Sequence, residues 1–169
     1  FPETETLSAI EKLKSQGFIA EVKIHALYQA VAAEDIKKVP HMLDSGISTE
    51  DTAPSNDPFW GGFTPLMIAS MIGNRGIVEL LIGKNADVNH RNSEGKSALF
   101  FAAEHREKAI AEILLKEGAD PDCATNSGYT ILMAAAAKGF ADIAELLLAN
   151  HADPNIRNKN GHTAIVSAL

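Results

Sequence analysis

From Ser97 onward the chain carries an unbroken apolar run, Ala98-Leu99-Phe100-Phe101-Ala102-Ala103, which a charged stretch, Glu104-His105-Arg106-Glu107, then closes. Ser97 stands where a helix N-cap belongs, since its hydroxyl can satisfy an otherwise unpaired backbone N–H. A second helix is predicted from about Glu107 to Lys116. Ile110, Ile113 and Leu114 recur there at spacings of three and four, which places them on one face. Gly118 follows as a C-terminal glycine should. The same pair of helices is legible on either side. Thr64 caps a helix with Pro65 in its first position, where a missing N–H costs nothing, and Ile77, Val78, Leu80 and Leu81 mark its partner. Thr130 opens an alanine-rich helix whose partner carries Ile143, Leu146 and Leu147; small residues at 134–137 let neighbouring helices approach closely.

These units keep register. Gly62, Gly95, Gly128 and Gly161 stand 33 residues apart, and Thr64, Ser97, Thr130 and Thr163 share that interval. A fixed period means one supersecondary unit stacked on copies of itself, each burying its neighbours' apolar sides. An earlier, degenerate unit runs from Leu27 to Gly46 and matches Leu66 to Asn85 at an offset of 39. Leu27, Ala30, Ile36, Met42 and Leu43 take its core places. The six extra residues fall between Gly46 and Gly62, where turn formers and two prolines predict an extended loop. Residues 4–16 read as a helix with Leu7, Ile10 and Leu13 facing inward, covering the exposed flank of the first unit.

The motifs in phase are Gly-Phe-Thr-Pro-Leu (62–66), Gly-Lys-Ser-Ala-Leu (95–99), Gly-Tyr-Thr-Ile-Leu (128–132) and Gly-His-Thr-Ala-Ile (161–165). Closing segments agree: Asn-Ala-Asp-Val-Asn (85–89), Gly-Ala-Asp-Pro-Asp (118–122) and His-Ala-Asp-Pro-Asn (151–155). In these residues the chain resembles the ankyrin repeat family. The resemblance implies an all-α solenoid of stacked helix-turn-helix units over 1–169. Its parts are a capping helix (4–22), a degenerate repeat (23–48), a loop insertion (49–61), repeats at 62–94, 95–127 and 128–160, and a partial C-terminal repeat (161–169). Two departures stand out. The ninth motif position, usually histidine, is Tyr28, Met67, Phe100, Met133 and Val166, and Arg106 replaces the glycine between helices in the third unit.

Composition is that of an ordinary globular chain, with 46% hydrophobic and 22% charged residues. No apolar run approaches the ~20 residues of a membrane helix. The net charge of −7 disfavours nucleic acid and anionic lipid as partners. Residues 1–57 hold ten acids against five bases, so most of the excess lies in the N-terminal third. Cys123 is the only cysteine, which rules out an internal disulfide and leaves the compartment open. The chain starts at Phe1 without methionine; cytoplasmic residence, or export to a periplasm after signal cleavage, are both compatible with that start.

Candidate chemistry changes the picture little. The chain has no P-loop, GxGxxG, HExxH, GxSxG or paired CxxC, and an enzyme is not expected. The histidines His25, His41, His90, His105, His151 and His162 fall at no helical metal spacing, with His25, His90, His151 and His162 read as loop or cap residues. No metal and no cofactor are expected. Cys123, with no cationic neighbour to lower its pKa, reads as structural. Asp87, Asp120 and Asp153 recur with the repeat, so turn geometry explains them better than acid–base work.

What the resemblance implies for function is a protein partner held by finger loops and the concave palm of first helices. Carried over unit by unit, the candidates are Phe59, Trp60, Phe63, Met71 and Ile72; then Ser93, Glu94, Lys96, Glu104 and His105; then Asn126, Tyr129, Ala137 and Lys138; and finally Lys159 and His162. Phe59, Trp60 and Phe63 gather three aromatics in one polar loop, as interface anchors do, or fold back as a small loop core. Glu50, Asp51 and Asp57 make that loop acidic, which suits a basic or mixed polar and apolar surface. The expected function is that of a monomeric, non-enzymatic adaptor or inhibitor docking on an enzyme. The alternative is a recognition module of a larger protein such as a bacterial effector.

Overall fold

The computed structural model describes residues 18–52 and 62–168. Among them the chain forms nine α-helices and no strand: α1 (Phe18–Ala32), α2 (Lys38–Asp44), α3 (Pro65–Ile72), α4 (Arg75–Gly83), α5 (Ala98–Glu104), α6 (Lys108–Lys116), α7 (Ile131–Lys138), α8 (Ala141–Ala149) and α9 (Ala164–Ser167). The predicted helix over 4–16, the loop residues Phe59, Trp60 and Asp57, and Leu169 lie outside the described residues.

The helices form two layers. In the first, α1, α3, α5, α7 and α9 each pack on the next; in the second, α4 packs on α6 and α6 on α8. Each first helix also packs on the second helix of its own unit. The hydroxyl caps are in place: Thr64, Ser97 and Thr130 accept from the N–H of Met67, Phe100 and Met133 at 3.3, 3.4 and 3.2 Å. Asn74 does the same for α4, accepting from Ile77 N–H at 3.0 Å. Between the layers lies one continuous core. Leu66, Ile77, Leu81, Leu99, Ile110, Leu114, Ile131, Ile143 and Leu147 are all sealed from solvent, each contributing ~1.5–3 kcal/mol by burial. Leu80, Ile113 and Leu146, expected on the same faces, are half-buried against that core.

The turn between the two helices of each unit contains one left-handed residue. Gly73 and Gly139 fill it at φ 77° and 68°, whereas Glu34 and Arg106 adopt φ 57° and 62° in the same place. Arg106 therefore follows the glycine's conformation at a cost of ~1–2 kcal/mol. It gains an ion pair with Asp142 at 3.3 Å and a cation–π contact with Phe140 at 5.4 Å.

On the opposite side a polar ladder ties the units. Asp87, Asp120 and Asp153 each accept the N–H two residues on, at 2.9 Å. The residue reached in that way then accepts from the next unit: Asn89 from Asp120 N–H and Asp122 from Asp153 N–H, both at 2.8 Å. Turn geometry thus accounts for the recurring aspartates.

Two expectations require correction. Ile36 is 47% exposed and does not sit in the core; it lies against Gly76, where any side chain would collide with it. Lys38 begins α2 instead and pairs with Asp35 at 2.9 Å. His25 is neither a loop nor a cap residue: it lies within α1 and bonds Gln29 at 2.9 Å. The other expected core members of that unit hold, Leu27, Ala30 and Leu43 being buried and Met42 half-buried.

Candidate functional site

The first helices present their outer turn, with the loops that precede them, to one flank of the stack. Phe63, just before the Thr64 cap, lays its ring on that of Phe101, with centroids 4.7 Å apart and planes tilted by 35°. Lys96 comes from the next loop and stands over Phe101 and its neighbour Phe100. Its ammonium lies 5.4 Å from the Phe100 ring and 5.6 Å from the Phe101 ring, as cation–π attraction favours. The same ammonium pairs with Glu94 at 3.2 Å and Glu104 at 3.4 Å. Lys138, one unit further, donates to the Glu104 carbonyl at 2.8 Å and stands 3.7 Å from its carboxylate. Tyr129 completes the group. Its hydroxyl donates to Met133 O at 3.1 Å, and burial, followed by the Glu104 charge, raises its pKa above the ordinary phenol value.

Three units thus contribute to one surface in which Phe63, Glu94, Lys96, Glu104, Tyr129 and Lys138 meet around Phe101. Its charges alternate, two ammonium groups against two carboxylates, with half-buried rings beneath. Such a surface can take a partner that offers both hydrogen-bonding groups and an apolar anchor. It has no arrangement of nucleophile and base.

The remaining candidates fall elsewhere. Met71 and Ile72 are half-buried at the end of α3. His105 is exposed at the end of α5, its Nδ1 3.0 Å from Phe101 O. Asn126 is engaged within the protein, donating from its side chain to Ser93 O at 2.6 Å and from its backbone to Glu94 O at 2.8 Å. His162 is exposed, its backbone N–H held by Asn158 at 3.0 Å. Exposed Ala137 ends the alanine run of α7.

Two residues that pattern-reading passed over are built into this flank. Phe101 is buried and anchors the ring pair, but in sequence it is one more apolar residue in a run. Tyr28, noted only as a departure from the usual histidine, is fully buried, and its hydroxyl reaches the carbonyls of Asp51 and Phe63 at 2.6 and 2.5 Å. It therefore joins the two ends of the insertion. The acids of that loop turn inward as well: Asp51 accepts from Ser48 N–H and Glu50 from Asp87 N–H, both at 2.9 Å. Two of the three acids expected to face a partner are thus occupied by the protein's own backbone.

Family models described as ankyrin repeats match residues 27–125 and, in a second form, residues 114–165. The chain is also similar to "Ankyrin repeat, SAM and basic leucine zipper domain-containing protein 1". It is 35% identical over 81 residues to the Mustela putorius furo protein, and 33% identical over 79 residues to that of Saimiri boliviensis boliviensis. Those alignments cover 48% and 47% of this chain but only 16% of each relative's length.

Proposed function

This chain belongs to the ankyrin repeat family, and from that premise we propose that it docks on a partner protein through the flank built around Lys96 and Phe101. Ankyrin repeats are protein–protein interaction modules, typically without enzymatic activity. The observation that carries the proposal is the convergence of Phe63, Lys96, Glu104, Tyr129 and Lys138, from three successive units, on one half-buried aromatic and charged patch. Aromatic side chains that a partner buries are enriched among the residues that carry binding energy at protein interfaces. The partner is read as a protein with mixed polar and apolar character, and the effect on it as inhibition or regulation of an enzyme. Phe59 and Trp60, which lie outside the described residues, are proposed as further partner-binding residues on their aromatic and polar sequence context alone. Among the described residues, no helix is long and apolar enough to cross a membrane.

The test is affinity capture from the source organism with the native chain, a Lys96→Glu/Tyr129→Ala variant and a Phe59→Ala/Trp60→Ala variant. A Lys116→Glu variant on α6 is the control. A specific partner retained by the native chain and the control, and lost by the Lys96/Tyr129 variant at unchanged helical circular dichroism, supports the site. Equal capture by all four chains overturns it. A second reading, a recognition module within a longer protein such as an effector, is favoured by the relatives, whose matched stretch is a small part of their length.

A further inference from the structure

The polar ladder has one irregular rung. At the joint between the first and second units, Glu50 occupies the place of Asn89 and Asp122, and its Oε1 accepts from Asp87 N–H at 2.9 Å as the ladder requires. Asp87 Oδ1 likewise accepts from Asn89 N–H at 2.9 Å. The ladder uses nothing more, yet this rung carries additional groups. His90 stands where the later units have Cys123 and Ile156. Its Nδ1 lies 3.1 Å from the second Glu50 oxygen, Oε2. That oxygen is sealed from solvent and accepts no hydrogen bond, so its contact with His90 is one of charge, made when the imidazole is protonated. Donor atoms of Glu50, Asp87 and His90 all lie within 4.8 Å of one another.

A carboxylate oxygen and an imidazole nitrogen this close together, with a second carboxylate beside them, are ligand types at the spacing that a divalent ion draws together. A separation of 3.1 Å is that of neighbouring ligands held ~2.1 Å from one ion at roughly 95°. We propose that Glu50, Asp87 and His90 form a binding site for a first-row divalent transition metal, bridging the first two units beside the insertion. One imidazole with two carboxylates selects zinc, cobalt or nickel over calcium and magnesium, which take oxygen ligands alone. The ladder hydrogen bonds to Glu50 Oε1 and Asp87 Oδ1 fix both carboxylates, so the outer shell that such ligands need is already present. Bound metal would fasten the joint where α2 and α4 have little mutual packing.

The experiment is calorimetric titration of zinc chloride into the purified chain, together with His90→Ala, Glu50→Gln and His25→Ala variants. The expected result is a single site of about micromolar affinity, weakened at least ~10-fold in the first two variants and unchanged in the third. Saturating zinc should raise the native chain's Tm by ~5 °C and leave that of His90→Ala unmoved. His90→Ala keeps the backbone bond of the turn, which the His90 N–H donates to Asp87 O. Paramagnetic cobalt should broaden the backbone resonances of residues 48–52 and 86–91 before any others. Absence of a site tighter than about 1 mM overturns the proposal. So does a site that survives His90→Ala or Glu50→Gln, or broadening centred on other histidines.

Discussion

The third unit and the first are built on one plan but differ in how their second helices are held. In the third, Ile110 and Leu114 on α6 are sealed between layers, and α6 packs on both α4 and α8. In the first, Lys38 and Met42 stand in the corresponding places; the lysine side chain is 73% exposed and the methionine half-buried. What crosses from α2 and its turns to the second unit is mainly polar. Lys84 meets Asp44 at 2.6 Å, Asn74 donates to Glu34 at 2.8 Å, and Glu50 holds the Asp87 N–H. Exposed pairs of this kind are individually weak, while a sealed leucine is strong. In a stack where each unit leans only on its neighbours, stability follows those local joints. The first joint should therefore open first, with its amides exchanging ahead of the centre.

The largest effect expected from this contrast is the cost of truncating the central seam. Leu114→Ala should lose ~3 kcal/mol or more in urea unfolding, against ~1 kcal/mol for half-buried Met42→Ala. Equal losses would mean that the two units are fastened alike. Next comes the Tyr28 hydroxyl, which links the ends of the insertion. Tyr28→Phe should cost ~1–2 kcal/mol and speed hydrogen exchange at residues 48–52 more than in α6. Uniform or absent acceleration would show that the insertion is held by other means.

A comparable but opposite change is expected at Ser70. It is fully buried, its hydroxyl has no hydrogen-bond partner, and its counterparts are Ala103 and Ala136. Ser70→Ala should raise stability by ~1 kcal/mol, since an unpaired buried hydroxyl costs about that much; a loss would show that the serine has a structural task. The smallest effect concerns acid. The hydrogen bond from Lys84, and then the lysine's charge, hold Asp44 below its ordinary pKa. A carboxyl depressed in this way adds stability above its unfolded pKa, about 3.9, and loses it as pH falls through the folded value. Acidification from about pH 5 to about pH 3 should thus weaken the native chain slightly more than Lys84→Ala, measured by the shift in urea midpoint. Identical shifts would remove this pair from the joint.

Periodicity accounts for how much was readable beforehand. A repeated unit writes each structural requirement several times, so the caps at Thr64, Ser97 and Thr130 and the sealed positions 77, 110 and 143 identify themselves by interval. The aspartate turns do the same. Residues that break the period are where reading stops. Ile36 is apolar and so reads as core, but its place in the repeat is that of Arg75, Lys108 and Ala141, all exposed, and it lies against Gly76 at the surface. Arg106 looked like a defect and took the left-handed turn regardless.

The sequence by itself determined the stacked helical pairs, their register and their caps, because these depend on local chemistry repeated at a fixed interval. Only the tertiary structure decided which side chains meet across units: Phe63 on Phe101 beneath Lys96, Tyr28 between the carbonyls of Asp51 and Phe63, and Glu50 beside His90. Those pairs are separated by between 23 and 40 positions along the chain. Their meeting depends on the rise and turn of the stack, a geometry that no single stretch of residues encodes.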